Sequence, residues 1–260
     1  MTQLSGIPAA MHVAGASARV EEDRLQVLCE DGERALCREA RIGADGMSRS
    51  VLTVRLTAER PARASVDRLA HEYGLRELLD PAWAALPLEL VHDEDRPMLV
   101  LEDTGGEPLE RELDGPMETG RFLRVAIAIA SALAGFHRQG LVHKDLKPVH
   151  LLVDAAGQVR LTGLALASRL PREQQAPTPP EFIAGTLAYM APEQTGRMNR
   201  SIDSRSDLYA LGVIYYRMLT GTLPFTAADP MEWIHCHIAR TPVPRKSCWP
   251  ACPRRSRRSR

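Results

Sequence analysis

Apolar and polar positions alternate with a period of two in three runs between Arg24 and Thr57: RLQVLC, ALCREA and SVLTVRLT. Turns at Glu30–Gly32 and Gly43–Gly46 separate them, so the pattern predicts a small antiparallel sheet. The period then lengthens. Within Ala64–Leu79, Val66, Leu69, Ala70 and Tyr73 recur at i, i+3, i+4 and i+7, the spacing of one helix face. Leu86–Val91 and Met98–Leu101 read as two more strands around a turn at His92–Pro97. After a short polar helix near Glu110–Leu113 comes the longest periodic segment, Glu118–Gln139. Its Phe122, Val125, Ile129, Leu133 and Phe136 form one stripe, which predicts the spine of a second, mainly helical unit. Further on, Leu151–Val153 and Val159–Leu161 are brief β-rich runs joined at Ala155–Gly157, and Pro230–Ala239 is helix-like. Residues 1–20 and 245–260 carry no period, which predicts a frayed lead-in and an irregular tail.

Composition narrows the class. With 260 residues, 44% hydrophobic and 25% charged, the chain is of ordinary globular make-up and can bury a sizeable core. Lys and Arg total 33, as do Asp and Glu, but Arg245–Arg260 holds seven of the cations and no acid. Residues 1–244 therefore carry the balancing net charge of −7, and no nucleic-acid-binding face is expected on the body. The apolar run Val125–Phe136 is too short to span a bilayer, and the start of the chain lacks the basic and apolar regions of a secretory signal. A cytoplasmic location follows as the expectation. The five cysteines are scattered, which suits a reducing compartment. His235, His237, Cys248 and Cys252 assemble into a zinc site only on paper, because the two histidines flank Cys236 in a helix-like stretch and point to different faces.

The chemistry concentrates in Gly140–Gly163, where His143, Lys144, Asp145 and Lys147 stand in a charged turn held by strands. The order H-K-D-L-K-P beside a β-hairpin resembles the protein kinase catalytic loop, H-R-D-L-K-P-x-N. The resemblance implies an α+β bilobal fold: a small antiparallel N-lobe sheet with one helix over 21–103, and a mainly helical C-lobe over 104–244. It implies Asp145 as the base that accepts a substrate hydroxyl proton, Lys147 as the γ-phosphate contact of a Ser/Thr kinase, and His143 as a structural residue of the loop. Arg55, in L-T-V-R, would stand for the strand lysine that contacts ATP, with Glu72 as its ion-pair partner. Glu102 and Asp103, before Thr104-Gly105-Gly106, would form the hinge where adenine is read, with Leu101 at the back of the pocket. Thr186, the Glu193 of A-P-E, and Asp207 would be structural supports of the loop, and Ser168 and Thr178 candidate phosphorylation sites. After Pro244 the expected last C-lobe helices are missing, and RKSCWPACPRRSRRSR looks like a truncation, a shifted frame or a basic tail.

Three departures from that pattern bear on function. The turn where a glycine-rich loop would cover phosphates is Glu30-Asp31-Gly32-Glu33, with three acids and one glycine. The Asn that would hold a second metal is His150, and the D-F-G Asp is Gly163. The resemblance thus implies ATP as cofactor with Mg²⁺ held weakly, and no dedicated metal site. GTLAYMAPEQTGRMNRSIDSRSDLYALGV and DPMEWIHCHIAR further resemble the kinase-like domain of bacterial signalling proteins that continue into an ATPase and a sensor histidine kinase. Those domains, or a protein substrate, are the implied partners. Two functions stay open: a pseudokinase or very weak kinase, and an active ATP-dependent Ser/Thr kinase with Asp145 as base.

Overall fold

The computed structural model describes residues 25–43, 46–91, 97–169, 186–196 and 200–244. The lead-in 1–20, the tail 245–260, Thr178, Cys248 and Cys252 lie outside the described residues.

Five antiparallel strands form one sheet: β1 (Gln26–Asp31), β2 (Arg34–Ile42), β3 (Ser48–Leu56), β4 (Pro87–Val91) and β5 (Met98–Glu102). The order is β1-β2-β3-β5-β4, so the last two strands join the first three. Helix α1 (Arg63–Gly74) packs against β4 and β5. Its buried positions are Ser65, Leu69 and Glu72, where the sequence pattern put Val66, Leu69, Ala70 and Tyr73 inward; Ala70 is exposed. Two polar contacts pull the helix round. Ser65 donates its hydroxyl to Glu33 at 2.6 Å, and Glu72 is turned into the protein by partners described below. The helix stops at Gly74 and passes into a 3₁₀ turn, Arg76–Leu78, short of Leu79.

The second lobe is built on α2 (Thr119–Arg138), α3 (Ser204–Thr220) and α4 (Pro230–Ala239). Side chains N-cap all three: Glu118 accepts from Gly120 and Arg121, Asp203 from Arg205, and Asp229 from Met231 and Glu232. Val125, Ile129, Leu133 and Phe136 of α2 are all buried. By length and composition α2 is apolar enough to cross a membrane, but this face is spent on the protein core. The polar helix expected near Glu110–Leu113 is a 3₁₀ turn, Leu109–Glu112. Small strands line the seam between lobes: β6 (Glu107–Pro108), β8 (Leu151–Val153) and β9 (Val159–Leu161) form one sheet, β7 (Leu141–Val142) and β10 (Ser168–Arg169) another. In α4, His237 is buried between Tyr209 Oη and the Leu187 carbonyl, both at 2.7 Å, while His235 is exposed.

Two cores result. The larger surrounds α2 and α3; the smaller joins Leu28, Leu36, Leu52, Val54, Leu69, Leu99 and Leu101 of the first lobe to Leu152 of β8. Leu152 belongs to the same apolar cluster as Leu28 and Leu52, so the two lobes meet through apolar side chains at the seam.

Candidate active site

The loop between β7 and β8 is shaped by a carboxylate. Asp207, buried in the first turns of α3, accepts the backbone N–H of His143 at 2.8 Å and of Lys144 at 2.9 Å. Lys144 has φ +67, a left-handed conformation that side-chain residues adopt only when held, and Asp207 is what holds it. His137 Nε2 meets the same carboxylate at 2.8 Å. His143 is fully buried, its Nε2 facing the Thr162 carbonyl at 3.0 Å and its Nδ1 accepting the Asp145 N–H at 3.3 Å. Burial pushes this imidazole below its ordinary pKa, and the neighbouring His150 adds to the effect.

Asp145, Lys147 and Thr186 come together beyond that base. Thr186 donates its N–H to Asp145 Oδ1 at 3.1 Å, and Lys147 Nζ reaches Thr186 Oγ1 at 2.6 Å and Asp145 Oδ2 at 3.1 Å. Glu193 accepts from Ser206 Oγ at 2.6 Å, tying its 3₁₀ turn to α3. Ser168 lies on β10, paired with Val142.

The acidic turn does not stand off from this group. It closes on it. Asp31 Oδ2 lies 2.6 Å from Lys147 Nζ and 3.3 Å from His150 Nε2. Burial alone would raise the Asp31 carboxyl, but hydrogen bonds from His150 and Lys147 outweigh it and hold the group far below the usual carboxylate range. His150 in turn is fixed through Nδ1, 2.7 Å from the Asp145 carbonyl, and stacks on His143 at 5.7 Å. Its ring lies against Gly163. A Cβ at that glycine would come within 2.3 Å of the imidazole, and φ there is +70.

The sequence-based assignment of Arg55 is corrected here. β3 pairs Val54 with Leu36 and Leu52 with Arg38, and Val54, Leu36 and Arg34 line the cleft. Arg55 points to the opposite face with Thr53, where it bonds to Thr53 Oγ1 at 3.3 Å and to the Glu39 carboxylate. Glu72 therefore pairs with a cation from β2: Arg34 Nη1 lies 3.2 Å from Glu72 Oε2. Glu72 Oε1 also accepts the Leu164 N–H at 2.9 Å, which links α1 to the segment after Gly163. Sequence reasoning missed Arg34. The apolar Leu52, Val54 and Leu56 on one face of β3, with Arg38 opposite Leu52 and Arg34 opposite Leu56 on β2, are the signal that could have found it.

The hinge is occupied by its own side chains. Asp103 accepts from Arg38 Nε at 3.0 Å and the Gly105 N–H at 2.9 Å. Burial would raise its carboxyl, but the bonds from Ser50, Gly105 and Arg38 prevail and lower it. Glu102 is exposed, and its N–H donates to the Leu86 carbonyl at 2.9 Å. Arg38 also reaches the Gly106 carbonyl at 2.7 Å, and Arg111 donates to the Leu28 carbonyl at 2.8 Å. Together these stitch the first lobe to the second. What is left between β1, β2, β3 and the loop is a cavity of about 30 Å³ lined by Cys29, Asp31, Arg34, Val54, His150 and Gly163. That is room for a few waters. Burial pushes the Cys29 thiol up to about 11, so it is no nucleophile at neutral pH.

A protein kinase domain model matches residues 67–257, well over half of the chain. The chain belongs to the protein kinase domain family. Among similar proteins, the serine/threonine-protein kinase Pkn1 of Myxococcus xanthus is 38% identical over 160 residues, 60% of this chain and 23% of that protein. The serine/threonine-protein kinase PknB of Mycobacterium tuberculosis is 31% identical over 150 residues, 57% of this chain and 24% of that protein. Pkn2 of Myxococcus xanthus is 36% identical over 156 residues, 58% and 18%. The chain thus spans about a quarter or less of the length of these relatives.

Kinase domains in general use ATP with a divalent metal. The residues here do not fit a resident Mg²⁺, which takes oxygen ligands in near-octahedral array. Gly163 offers no side-chain donor and His150 offers an imidazole. Asp31, Asp145 and His150 do bring one donor each within 4.8 Å, but the Lys147 ammonium already shares both carboxylates, at 2.6 and 3.1 Å. A dication would have to expel that charge.

Proposed function

We propose that this kinase domain serves as a pseudokinase of the Ser/Thr type, a docking and regulatory module rather than a phosphoryl-transfer catalyst. The observation that carries the reading is the Asp31 carboxylate bound to Lys147 and His150, which sets an internal anion against the residues that would meet a transferring phosphate. Transfer depends on neutralising phosphate charge, and losing metal stabilisation worth several kcal/mol slows it by orders of magnitude, about tenfold per 1.4 kcal/mol. The partners we propose are regulatory domains of a longer cytoplasmic signalling protein, an ATPase and a sensor histidine kinase among them. The bacterial Ser/Thr kinases it matches are more than twice the length of this chain, so domains of this family do occur within longer proteins.

The test is transfer of label from γ-labelled ATP, with Mg²⁺ and with Mn²⁺, to the chain itself and to a Ser/Thr-rich protein. Label that appears with the unaltered chain and vanishes with Asp145→Asn overturns the reading. A second reading, a weak ATP-dependent Ser/Thr kinase, is favoured by the assembled Asp145–Lys147–Thr186 group, and it predicts that same label.

A further inference from the structure

Helix α2 keeps a second apolar face that the core does not use. Leu123 is 52% exposed and Ile127 69%, and Ala130 and Ala134 are exposed with them. Spaced by four, three and four residues, they form one stripe along the helix, separate from the buried stripe of Val125, Ile129, Leu133 and Phe136. Helix α3 runs antiparallel beside it. Tyr215 Oη donates to the Ala126 carbonyl at 2.6 Å, and farther along α2 His137 Nε2 meets the earlier α3 residue Asp207 at 2.8 Å. Leu208 and Gly212 lie on the face of α3 that carries Tyr215 and are exposed too, so the uncovered apolar surface continues from α2 onto α3. Contiguous apolar surface of this kind marks an interaction site.

We propose that a second copy of this chain covers this face, with the two α2 helices packed antiparallel about a two-fold axis. The stripe is self-complementary. Helix α2 spans Thr119–Arg138, so its midpoint falls between Ala128 and Ile129. Leu123 and Ala134 are equally far from that midpoint, and so are Ile127 and Ala130. A two-fold axis there sets Leu123 against the partner's Ala134 and Ile127 against the partner's Ala130, a large side chain facing a small one each time. The charges agree. Glu118 is exposed at the N-cap of α2, and its two oxygens each accept one backbone N–H, which leaves lone pairs to spare. Arg138, exposed in the last turn, has no ion-pair partner among the described residues. The same axis brings Arg138 beside the partner's Glu118, twice per dimer, whereas a parallel pairing would set Arg138 against the partner's Arg138. Arg121 and His137 are already held within their own chain, by Glu112 and Asp207.

The experiment is sedimentation velocity of the whole chain from about 5 to about 300 µM, a range suited to a small interface. The dimer fraction should grow with concentration. Ile127→Glu would bury an unpaired charge twice per dimer and should raise the dissociation constant at least about a hundredfold. Because Ile127 is exposed in the single chain, the melting midpoint of that variant at low concentration should stay where it is. Arg138→Glu sets like charges together and should weaken the dimer by about tenfold. A short bismaleimide reads the orientation: Leu123→Cys and Ala134→Cys chains, mixed, should cross-link more than either variant alone, since like positions lie about 16 Å apart along the axis. A chain that stays monomeric over the whole range overturns the proposal and leaves a different protein or a membrane surface as the cover. A dimer that Ile127→Glu leaves intact also overturns it, since the contact then lies on another face. Should Ile127→Glu fail to fold, Arg138→Glu and the mixed cross-link decide. Label transfer from ATP does not enter these measurements, so the dimer and the pseudokinase reading stand or fall separately.

Discussion

The imidazole of His150 occupies the volume into which any side chain at residue 163 would grow: a Cβ built on Gly163 lies 2.3 Å from ring carbon Cδ2 and 2.4 Å from Nε2. The two departures from the kinase pattern are therefore one structural change. Removing the aspartate makes room, and the histidine fills it and is pinned there by the Asp145 carbonyl at 2.7 Å. Reversing only half of this change should fail. Gly163→Asp is expected to destabilise the chain by about 2–4 kcal/mol, from overpacking plus a φ of +70 that side chains resist. Combining it with His150→Asn should return at least about 1 kcal/mol as coupling energy in urea unfolding. Strict additivity of the two substitutions would show that the residues are independent and sink the claim.

Arg34 and Glu72 make a second pair whose loss is asymmetric. Glu72 is 1% exposed, and its remaining partner is the Leu164 N–H. Arg34→Met should cost about 3–5 kcal/mol, because it strands a buried carboxylate. Arg34→Met with Glu72→Leu should recover most of that, since neither charge then remains to be solvated. Denaturant midpoints of the single and double variants check this. A double variant as unstable as the single one would show that the ion pair itself stabilises the lobe junction.

The contiguous part of the site was open to sequence reading, and the assembled part was not. His143, Asp145 and Lys147 fall within five residues, and the order of residue types alone identifies the loop. Arg55 went astray because alternation says which residues of β3 share a face but not which face meets the cleft. A slip of one position exchanges the faces. The register fixes it only once Val54 is seen opposite Leu36. Glu72 was named as an ion-pair residue, yet its partner comes from the strand before the expected one, 38 positions away, and no local pattern connects them. His150 and Gly163 read as two losses because compensation in volume shows only in space. The acids of the β1–β2 turn were legible as a hostile place for a polyphosphate, but not as a plug, since the reach of Asp31 to Lys147 depends on how the lobes close.

Acid should weaken the fold before the carboxylates titrate. His143 is buried with its pKa lowered, and burial lowers that of His237 too. Below the unfolded value near ~6.5, the unfolded chain takes up protons that the folded chain refuses. Their stabilising effect is thus complete above that pH and declines as pH falls toward the folded values, by up to about 1.4 kcal/mol per pH unit for His143. The Asp31 carboxyl is lowered as well, but from an unfolded value near ~4, so its contribution is constant above that pH and does not enter this window. Urea midpoints at pH 7.5, 6.5 and 5.5 should be level over the first interval and fall over the second. A midpoint that holds through pH 5.5 would mean that neither ring is kept neutral by the fold.

Leu52 decides whether a planar base can enter between the lobes. It is fully buried and shares one apolar cluster with Leu28 and with Leu152 of β8, so a ring sliding in beside Glu102 and Asp103 would have to part that cluster. Leu52→Ala removes the branch that closes the seam. The substitution should cost about 2–5 kcal/mol, the usual range for a buried Leu→Ala change, with the larger values where the cavity stays open. An open cavity also gives an apolar ring somewhere to go, as engineered leucine-to-alanine cavities do. Adenosine at millimolar concentration should then raise the melting midpoint of Leu52→Ala by a few degrees and leave the unaltered chain unmoved, since binding stabilises in proportion to the logarithm of ligand over Kd. Adenosine has no phosphate, so this response is independent of Asp31, Lys147 and His150. If adenosine stabilises both proteins alike, the leucine seam is not what closes the slot, and the clamp of Arg38 on Asp103 becomes the next residue pair to open.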